Sequence, residues 1–392
     1  MQPLIDHIPQ LDLSRGLSVY IHIPFCRHKC YFCDFFSVQG WSEYQRNRII
    51  DQTLEHVRRY LEHLNISKIE TFYLGGGTPS LLTAKQLQRF LDIAAQFHAH
   101  EITAEANPEG LEKEWVHTLF SYPQARLSLG VQSFMTDELK KLGRIVSPHE
   151  LEKSLQFLSN FHQRINLDLL AGIRGQDENV LMDELRRLVD FQPAHISFYM
   201  LTLEEDTPLF HRPHLVPPEE IRSELWLLGK DFLHRCGYID YEISNFTQCC
   251  PSRHNQRYWQ LHPYVGFGPG AVSNLPLNNG QALRLQGIHR LSSWGGPDNE
   301  QNLYAAQIIS SEDFLFEHFM MGLRTRRGVD TDMLHHRFGE KATAILQEAE
   351  QLIPMKRNGI YRYLDDDARL RLNRYLIQIM DILDKQQIQP KN

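Results

Sequence analysis

The stretch SVYIHIPFCRHKCYFCDFF, residues 18–36, places three cysteines within eight positions, directly after a run that alternates like a buried strand. Cys26, Cys30 and Cys33 form a C-x3-C-x2-C pattern. The run before them is rich in β-branched and aromatic residues, so we expect the thiols on a loop at the carboxyl end of a strand. Because α/β folds place their active sites at that end of the strands, the stretch predicts a metal or cofactor site there.

Two kinds of metal centre fit the cysteine spacing. Thiolates two to four residues apart suit tetrahedral zinc, which His22 or His28 could complete, although structural zinc usually takes a second ligand pair from farther along the chain. A [4Fe–4S] cluster also takes four ligands, so three cysteines would leave one iron open to a ligand from outside the protein. Five aromatic residues of the stretch would help to exclude water from a cluster: Phe25, Tyr31, Phe32, Phe35 and Phe36.

Composition narrows the class of protein. The chain has 392 residues, 42% of them hydrophobic, which is enough for one large α/β domain with additions or for two to three domains. The net charge of −7 gives no reason to expect nucleic acid as a partner. No long apolar run is present, and MQPLIDHIPQ at the N-terminus does not resemble a signal peptide, so we expect a cytoplasmic protein. In that compartment cysteines stay reduced, and we interpret Cys236, Cys249 and Cys250 as loop or packing residues.

Strand-like runs alternate with helical runs over the first half of the chain. The candidate strands are Ser18–Pro24, Lys68–Gly75, Glu101–Asn107, Arg126–Gln132, Arg164–Gly172 and His195–Leu201. Helical patterns lie near Ser42–Leu64, Thr83–His98, Leu111–Phe120, Ser147–Phe161 and Asn179–Phe191. Repeated βα units require a parallel sheet that the helices cover. The pattern suits an open doubly wound sheet or a partial (β/α)6 TIM-like barrel, and we expect the barrel.

The second half of the chain has a different pattern. We expect a helix near Glu219–Cys236, one strand in GYIDYEISNF (residues 237–246), and loops rather than packed elements over Pro263–Gly296. From Glu312 the helical period returns and encloses a short polar wing at Met355–Asp365, which predicts a C-terminal helical, winged-helix-like domain. The predicted segments are an N-terminal extension (1–16), the partial barrel (17–210), a barrel extension (211–305) and the C-terminal helical domain (306–392).

The cysteine pattern, with an aromatic residue before its last cysteine, resembles that of the radical S-adenosylmethionine (SAM) superfamily. In that family three cysteines hold a [4Fe–4S] cluster whose open iron binds the amino and carboxylate groups of SAM. GGGTPS (Gly75–Ser80) follows the second strand, as the family's glycine motif does beside the methionine moiety. Glycines suit that place because, without Cβ atoms, the backbone can come within hydrogen-bonding distance of a ligand.

The resemblance implies a set of site residues and assigns no catalytic residue. Cys26, Cys30 and Cys33 would hold the cluster. Carboxylates suit an amine or ribose hydroxyls, and a guanidinium suits a carboxylate. The implied SAM-binding positions, several of them at successive strand ends, are Tyr20, Phe32, Gly75, Gly76, Gly77, Thr78, Glu105, Gln132, Arg144 and Asp168.

Within the superfamily the chain resembles oxygen-independent coproporphyrinogen III oxidases and the related haem chaperones of the HemW type. The segments that carry the likeness are YIHIPFCRHKCYFC, YLGGGTPS, SLGVQSF and HISFYMLTLEEDTPL. The oxidases have a further cysteine where this chain has Phe35. The chaperones have an HNxxYW motif, which is HNQRYW here (residues 254–259). Because imidazole is a good axial ligand of haem iron, His254 is the candidate haem-binding residue.

The resemblance leaves alternatives open. A haem chaperone would bind haem as cargo and deliver it to haem-accepting respiratory proteins at the membrane surface, with an electron donor such as flavodoxin or ferredoxin. A coproporphyrinogen oxidase would instead use a SAM-derived radical to form protoporphyrinogen IX in porphyrin biosynthesis. A zinc-stabilised scaffold is the third alternative, and the sequence leaves open whether the protein is an enzyme.

Overall fold

The computed structural model describes residues 8–294 and 303–388. Most of the predicted N-terminal extension is described, but residues 1–7 lie outside the described residues, as do Gly295 and Gly296 of the glycine-rich stretch. Six parallel strands lie side by side in chain order, which confirms the predicted α/β fold. They are β1 (Leu17–Ile23), β2 (Ile69–Gly76), β3 (Glu101–Ala106), β4 (Ala125–Gln132), β5 (Ile165–Ala171) and β6 (His195–Met200).

Helices connect these strands. They are α1 (Glu43–His63), α2 (Ala84–Gln96), α3 (Lys113–Phe120), α4 (Thr136–Lys141), α5 (Pro148–Leu158) and α6 (Glu178–Asp190). At the start of α5 the Ser147 hydroxyl accepts from the backbone N–H of Glu150, whose carboxylate accepts from the backbone N–H of Ser147 at 2.9 Å. Such reciprocal capping satisfies backbone donors that the helix cannot, and it explains why the helix begins there.

Strand β6 is followed by α7 (Glu219–Arg235) and by two short strands, β7 (Ile239–Asp240) and β8 (Asn245–Thr247). The prediction of a single strand in residues 237–246 is therefore wrong. The chain turns between the two strands, where the Glu242 carboxylate accepts from the backbone N–H of Ser244 at 3.1 Å. As a result, β8 pairs antiparallel with both β6 and β7.

Helix α8 (Arg253–Trp259) closes the amino ends of the strands. The Glu101 carboxylate, at the start of β3, accepts from the backbone N–H groups of Arg253 and His254, each at 3.0 Å. From the same helix the Arg257 guanidinium donates to the Ser18 hydroxyl at 2.5 Å. The HNQRYW motif thus lies inside the curved sheet rather than on a surface loop.

The expectation that Pro263–Gly296 forms loops is wrong. The stretch contains β9 (Tyr264–Phe267), β10 (Val272–Pro276) and β11 (Ala282–Gly287), and β12 (Tyr304–Ile309) completes this side of the sheet. Strand β9 pairs parallel with β1, and β10, β11 and β12 follow antiparallel. A Cβ at Gly266 would lie 2.3 Å from the carbonyl oxygen of Val272, so the glycine permits close strand approach rather than marking a loop.

The C-terminal region is helical with a small β wing, as predicted. Its elements are α9 (Ser311–Gly322), β13 (Val329–Asp330), α10 (Thr331–Phe338), α11 (Glu340–Leu352), β14 (Lys356–Asn358), β15 (Tyr361–Tyr363), α12 (Asp366–Arg369) and α13 (Leu372–Ile388). It has a hydrophobic core of its own. The fully buried carboxylate of Asp240 in β7 pairs with Arg326 at 2.6 Å and with Arg369 at 2.8 Å. These pairs join the main sheet to the C-terminal region. The four predicted segment limits stay predictions.

Candidate functional site

The three clustered cysteines lie on the loop that directly follows β1. The loop is closed at its base, where the backbone N–H of Cys26 donates to Val38 at 3.0 Å and the N–H of Val38 donates to Pro24 at 2.7 Å. His22 Nε2 donates to the carbonyl oxygen of Phe36 at 2.8 Å. Burial lowers the pKa of His22 to about 4, so the ring is neutral at physiological pH. His22 therefore anchors this loop through a backbone carbonyl.

The thiols line a cavity of about 640 Å³ at the carboxyl ends of the strands. The Thr78 hydroxyl donates to Cys26 Sγ at 3.5 Å, and the Arg144 guanidinium donates to Cys30 Sγ at 3.6 Å. Burial raises the pKa of Cys26, and it raises the pKa of Cys33 to about 12. Binding to iron would release these protons, and the adjacent guanidinium would offset the thiolate charge.

The positions of the cysteine thiols distinguish between a tetrahedral zinc site and a [4Fe–4S] cluster. Tetrahedral zinc at about 2.3 Å from each sulfur needs its ligands grouped around one point. Within residues 8–294 and 303–388, no group of three His, Cys, Asp or Glu side chains is placed to hold a single metal ion. The cysteines of a [4Fe–4S] cluster bind different irons and therefore stand farther apart. Three thiols on one loop that faces a cavity thus fit a cluster better than a single zinc ion.

The glycine motif lets the end of β2 lie against the cysteine loop. Gly76 has a φ of +106°, and a Cβ there would lie 2.6 Å from the imidazole of His22. A Cβ at Gly77 would lie 2.7 Å from the carbonyl oxygen of Phe25. The backbone N–H of Gly76 donates to the Glu105 carboxylate at 3.2 Å. Any side chain at these positions would push β2 away from the loop, so the motif forms one wall of the cavity.

Arg144 connects the carboxyl-terminal sides of three strands. Its guanidinium donates to Asn107 Oδ1 at 3.0 Å, to the carbonyl oxygen of Gly130 at 2.8 Å and to the Glu109 carboxylate at 3.3 Å. With the contact to Cys30, the same side chain reaches the loops after β1 and β3 and the carboxyl end of β4. Asn107 was missed by the sequence analysis. It directly follows β3, and that position at a strand end is the feature that could have identified it.

Two carboxyl groups line the deeper wall. The Tyr73 hydroxyl donates to Glu105 at 2.8 Å, and burial raises the pKa of Glu105 to about 7. Asp168 accepts from Asn166 Nδ2 at 2.7 Å and from the Ser128 hydroxyl at 3.4 Å, and burial raises its pKa to about 6. Both groups can ionise near neutral pH, which suits recognition of a cationic ligand that carries hydroxyl groups.

Most of the predicted SAM-binding residues meet at this cavity. Eight of them line it: Phe32, Gly76, Gly77, Thr78, Glu105, Gln132, Arg144 and Asp168. Tyr20 and Gly75 stand behind the wall, and the Tyr20 hydroxyl lies 3.1 Å from His22 Nδ1. Gln132 has a φ of +68° where the register of β4 shifts. The cavity is also lined by Tyr73 and Tyr199, which the sequence analysis did not assign to a site, and by Asn255 and Tyr258 of the HNQRYW motif.

His254 lies beneath the cavity floor. It is 2% exposed, its Nδ1 is 2.7 Å from the Thr71 hydroxyl, and its ring stacks on Tyr73 with centroids 4.7 Å apart. Its Nε2 is buried without a hydrogen-bond partner among the described residues. Burial lowers the pKa of His254 to about 3. Its neighbours Asn255 and Tyr258 line the cavity, whereas His254 does not.

Comparison with known proteins first defines the class. Residues 20–188 match the radical SAM superfamily, and residues 309–374 match the HemN C-terminal domain. The structure of coproporphyrinogen III oxidase (HemN) from Escherichia coli superposes with a TM-score of 0.76 over 97% of this chain and 93% of that chain, at 19% identity. The fold is therefore that of a radical SAM protein with a C-terminal domain of the HemN type, and this superfamily implies a [4Fe–4S] cluster and SAM.

Relatives of similar length narrow the class. The haem chaperone HemW of Lactococcus lactis is 30% identical over 86% of this chain and 91% of its own length. HemW of Escherichia coli is 34% identical over 68% of this chain and 72% of its own length. The mouse mitochondrial radical S-adenosyl methionine domain-containing protein 1 is 31% identical over 84% of this chain and 78% of its own length. The chain belongs to the HemW family.

Over the described parts of the chain, no helix is long and apolar enough to cross a bilayer.

Proposed function

We propose that this protein is a haem chaperone that binds haem as cargo and delivers it to haem-requiring respiratory proteins at the membrane surface. Its bacterial relatives are named haem chaperone HemW, and they are 30% to 34% identical to this chain across most of its length. This similarity supports the proposal. The position of HNQRYW supports it further, since Asn255 and Tyr258 of this motif line the cavity. When bound, the cluster and SAM supply one-electron chemistry at the sulfonium of SAM. In a chaperone they act as control elements of the protein.

The charge of the cavity is the observation that favours a chaperone over an oxidase. Among the described residues that line it, full positive charges come from Lys29 and Arg144. Arg144 is already paired with Glu109 at 3.3 Å. Four lining residues carry carboxyl groups: Asp34, Glu105, Asp168 and Glu204. A substrate with several propionate groups needs cationic partners, because desolvated carboxylates without them are costly. The cavity therefore suits SAM better than SAM together with coproporphyrinogen.

The cavity residues divide the recognition of SAM among them. Glu105 and Asp168 present carboxyl groups to the cationic and hydroxyl-bearing parts of the ligand, and Arg144 presents a guanidinium to its carboxylate. Gly76 and Gly77 expose backbone to the methionine moiety. The cysteine loop borders this space, and Phe32 on that loop lines the cavity, where it would help to exclude water from a bound cluster.

An electron donor would approach from the cysteine loop. Arg27 on this loop is exposed, and the nearby Phe35 is 60% exposed. Lys29 is partly exposed between them. A small positive patch with an exposed aromatic ring suits an acidic one-electron carrier such as flavodoxin or ferredoxin, because complementary charge steers association.

The chaperone and oxidase functions can be tested side by side. The full chain is purified anaerobically, its cluster is reconstituted, and ferric haem is titrated into it. The same preparation is incubated with coproporphyrinogen III, SAM and a reductant. We expect haem binding, transfer of that haem to an apo-haem protein, and no protoporphyrinogen. Robust formation of protoporphyrinogen, or failure to bind haem, would overturn the proposal.

A further inference from the structure

A chain of hydrogen bonds runs inside the sheet from Asp168 to the HNQRYW motif. Asn166 Nδ2 donates to Asp168 Oδ1 at 2.7 Å, and Asn166 Oδ1 lies 2.7 Å from His195 Nδ1. His195 Nε2 lies 2.8 Å from the hydroxyl oxygen of Tyr241, which accepts from Asn255 Nδ2 at 3.2 Å. Asp168 and Asn255 line the cavity, whereas the three residues between them do not. The chain therefore connects two parts of the cavity wall from behind.

Strand pairing sets the position of His195 in this chain. It is the first residue of β6, and it pairs with Asn166 of β5 in the parallel register. Side chains alternate along a strand, so Asp168 points to the same face as Asn166. The Ser197 hydroxyl is farther from Asn166 Oδ1, at 3.2 Å, so His195 is the nearer donor. Because His195 is buried behind the cavity, it can act on a ligand only through the residues that it holds.

The direction of each hydrogen bond follows from the charge of Asp168. Burial raises its pKa to about 6, so at neutral pH the carboxyl group is mostly ionised and only accepts. Asn166 then presents its amide nitrogen to Asp168 and its amide oxygen to His195. The proton of the imidazole is therefore on Nδ1, and Nε2 accepts from the Tyr241 hydroxyl. Burial also lowers the pKa of His195, so the ring stays neutral and keeps this tautomer.

We propose that His195 is a positioning residue shared by the SAM site and the HNQRYW motif: it fixes Asp168 through Asn166, and it fixes Asn255 through Tyr241. This inference rests on the proposed function, in which the motif takes part in binding haem. An imidazole suits the role because a single rigid ring carries a donor on one side and an acceptor on the other. Side chains that are fixed before a ligand arrives lose less conformational entropy when it binds.

The two ring nitrogens of His195 can be replaced one at a time. The side-chain amide of asparagine lies near the place of Nδ1, so His195→Asn can keep the bond to Asn166 but does not reach Tyr241. The amide of glutamine lies near the place of Nε2, so His195→Gln can keep the bond to Tyr241 but loses the one to Asn166. Each variant thus interrupts the chain on one side only.

The test uses the full chain with its cluster reconstituted under anaerobic conditions. SAM affinity is measured by calorimetry and ferric haem affinity by absorption titration. We expect His195→Asn to bind SAM as the wild type does and haem about fivefold more weakly, since loss of one hydrogen bond has an effect of about that size. We expect His195→Gln to show the reverse, with weaker SAM binding and unchanged haem binding. A residue that only stabilised the fold would lower both affinities together.

A pair of tyrosine variants supplies an independent cut and its control. Tyr241→Phe removes only a hydroxyl and interrupts the chain on the side of the motif, so it should weaken haem binding and leave SAM binding unchanged. The matched control is Tyr238→Phe. The Tyr238 hydroxyl is also buried in this part of the protein, but it donates to the carbonyl oxygen of Pro193 at 2.8 Å, outside the chain. This control should keep both affinities.

The outcomes separate this inference from the proposed function. Equal changes of both affinities in the two histidine variants, or wild-type affinities in both, would overturn the positioning role and leave the chaperone function standing. If a histidine variant does not fold, Tyr241→Phe decides: loss of haem affinity alone supports the role, and loss of both affinities or of neither overturns it. A wild type that binds no haem would overturn the proposed function and this inference with it.

Discussion

The hydroxyl group of Tyr73 donates a 2.8 Å hydrogen bond to the carboxylate of Glu105, on the neighbouring strand. The other oxygen of that carboxylate accepts from the backbone N–H of Gly76. Burial nevertheless raises the pKa of Glu105 to about 7, while that of Asp168 rises to about 6. The wall of the cavity therefore gains negative charge between pH 6 and 8.

This relationship predicts that SAM binding depends on pH. A carboxyl group with a raised pKa is neutral below that pKa and charged above it, so affinity for the sulfonium should increase as pH rises from about 6 to 7.5. In the variant Glu105→Gln this increase in SAM affinity with pH should be much smaller. Because the ligand's own titration is the same in both proteins, the comparison isolates the carboxyl group. Equal pH profiles, measured by calorimetry, would contradict the role of Glu105.

The cysteine loop predicts which thiols hold the cluster. Reconstituted wild type should contain about four iron and four sulfide per chain. Replacing Cys26, Cys30 or Cys33 by Ala should abolish the cluster, whereas Cys236→Ala should retain it. Iron and sulfide analysis provides the measurement. Stoichiometric zinc without sulfide in the wild type would instead support a single-ion site.

Asp168 and Arg144 should behave differently when each is replaced by Ala. Charge-assisted hydrogen bonds contribute about 1.5–3 kcal/mol, so loss of Asp168 should weaken SAM binding by roughly 10- to 100-fold without loss of iron. Arg144 also donates to Cys30 Sγ, so Arg144→Ala should lower both SAM affinity and iron content. Unaltered SAM affinity in the Asp168 variant would remove that residue from the site.

Gly76→Ala should disturb the wall beside the cluster. The left-handed backbone alone costs about 1–2 kcal/mol for a residue with a Cβ. At Gly76 that Cβ would also lie 2.6 Å from His22. Gly359 likewise has a positive φ, +58°, but a Cβ there would point into open space, so Gly359→Ala is the matched control. Gly76→Ala should lower both the stability against urea and the iron content more than Gly359→Ala does. Equal losses in the two variants would show that the contact with His22 is unimportant.

Asp240→Asn should weaken the connection between the main sheet and the C-terminal region. This carboxylate is fully buried and pairs with Arg326, Arg369 and Lys230. Removing one partner of a buried charge cluster costs about 3–5 kcal/mol, because the remaining charges lose their compensation. The exposed pair of Asp183 and Arg186 supplies the control, and Asp183→Asn should change urea stability by less than about 1 kcal/mol. Similar losses in both variants would contradict this role of Asp240.

Local patterns in the sequence predicted the parts of the fold that depend on neighbouring residues. The six strands β1 to β6, the helices that connect them except the short α4, and the reciprocal cap at Ser147 follow from hydrophobic period and capping chemistry, which act over a few positions. The prediction failed over Pro263–Gly296, where Gly266 was taken as a loop residue. Whether a glycine ends a strand or lets a strand approach closely depends on its spatial neighbour, here Val272, and the local pattern does not contain that neighbour.

The sequence by itself determined that Cys26, Cys30 and Cys33 share one loop after a strand, and that glycines stand at the carboxyl end of the next strand. Only the tertiary structure decided that Arg144 joins this loop to the ends of β3 and β4, and that helix α8 closes the sheet from below. His254 meets Thr71 across 183 positions of the chain. Such contacts depend on how distant segments pack together, and packing exposed the thiols of Cys249 and Cys250 while it buried the imidazole.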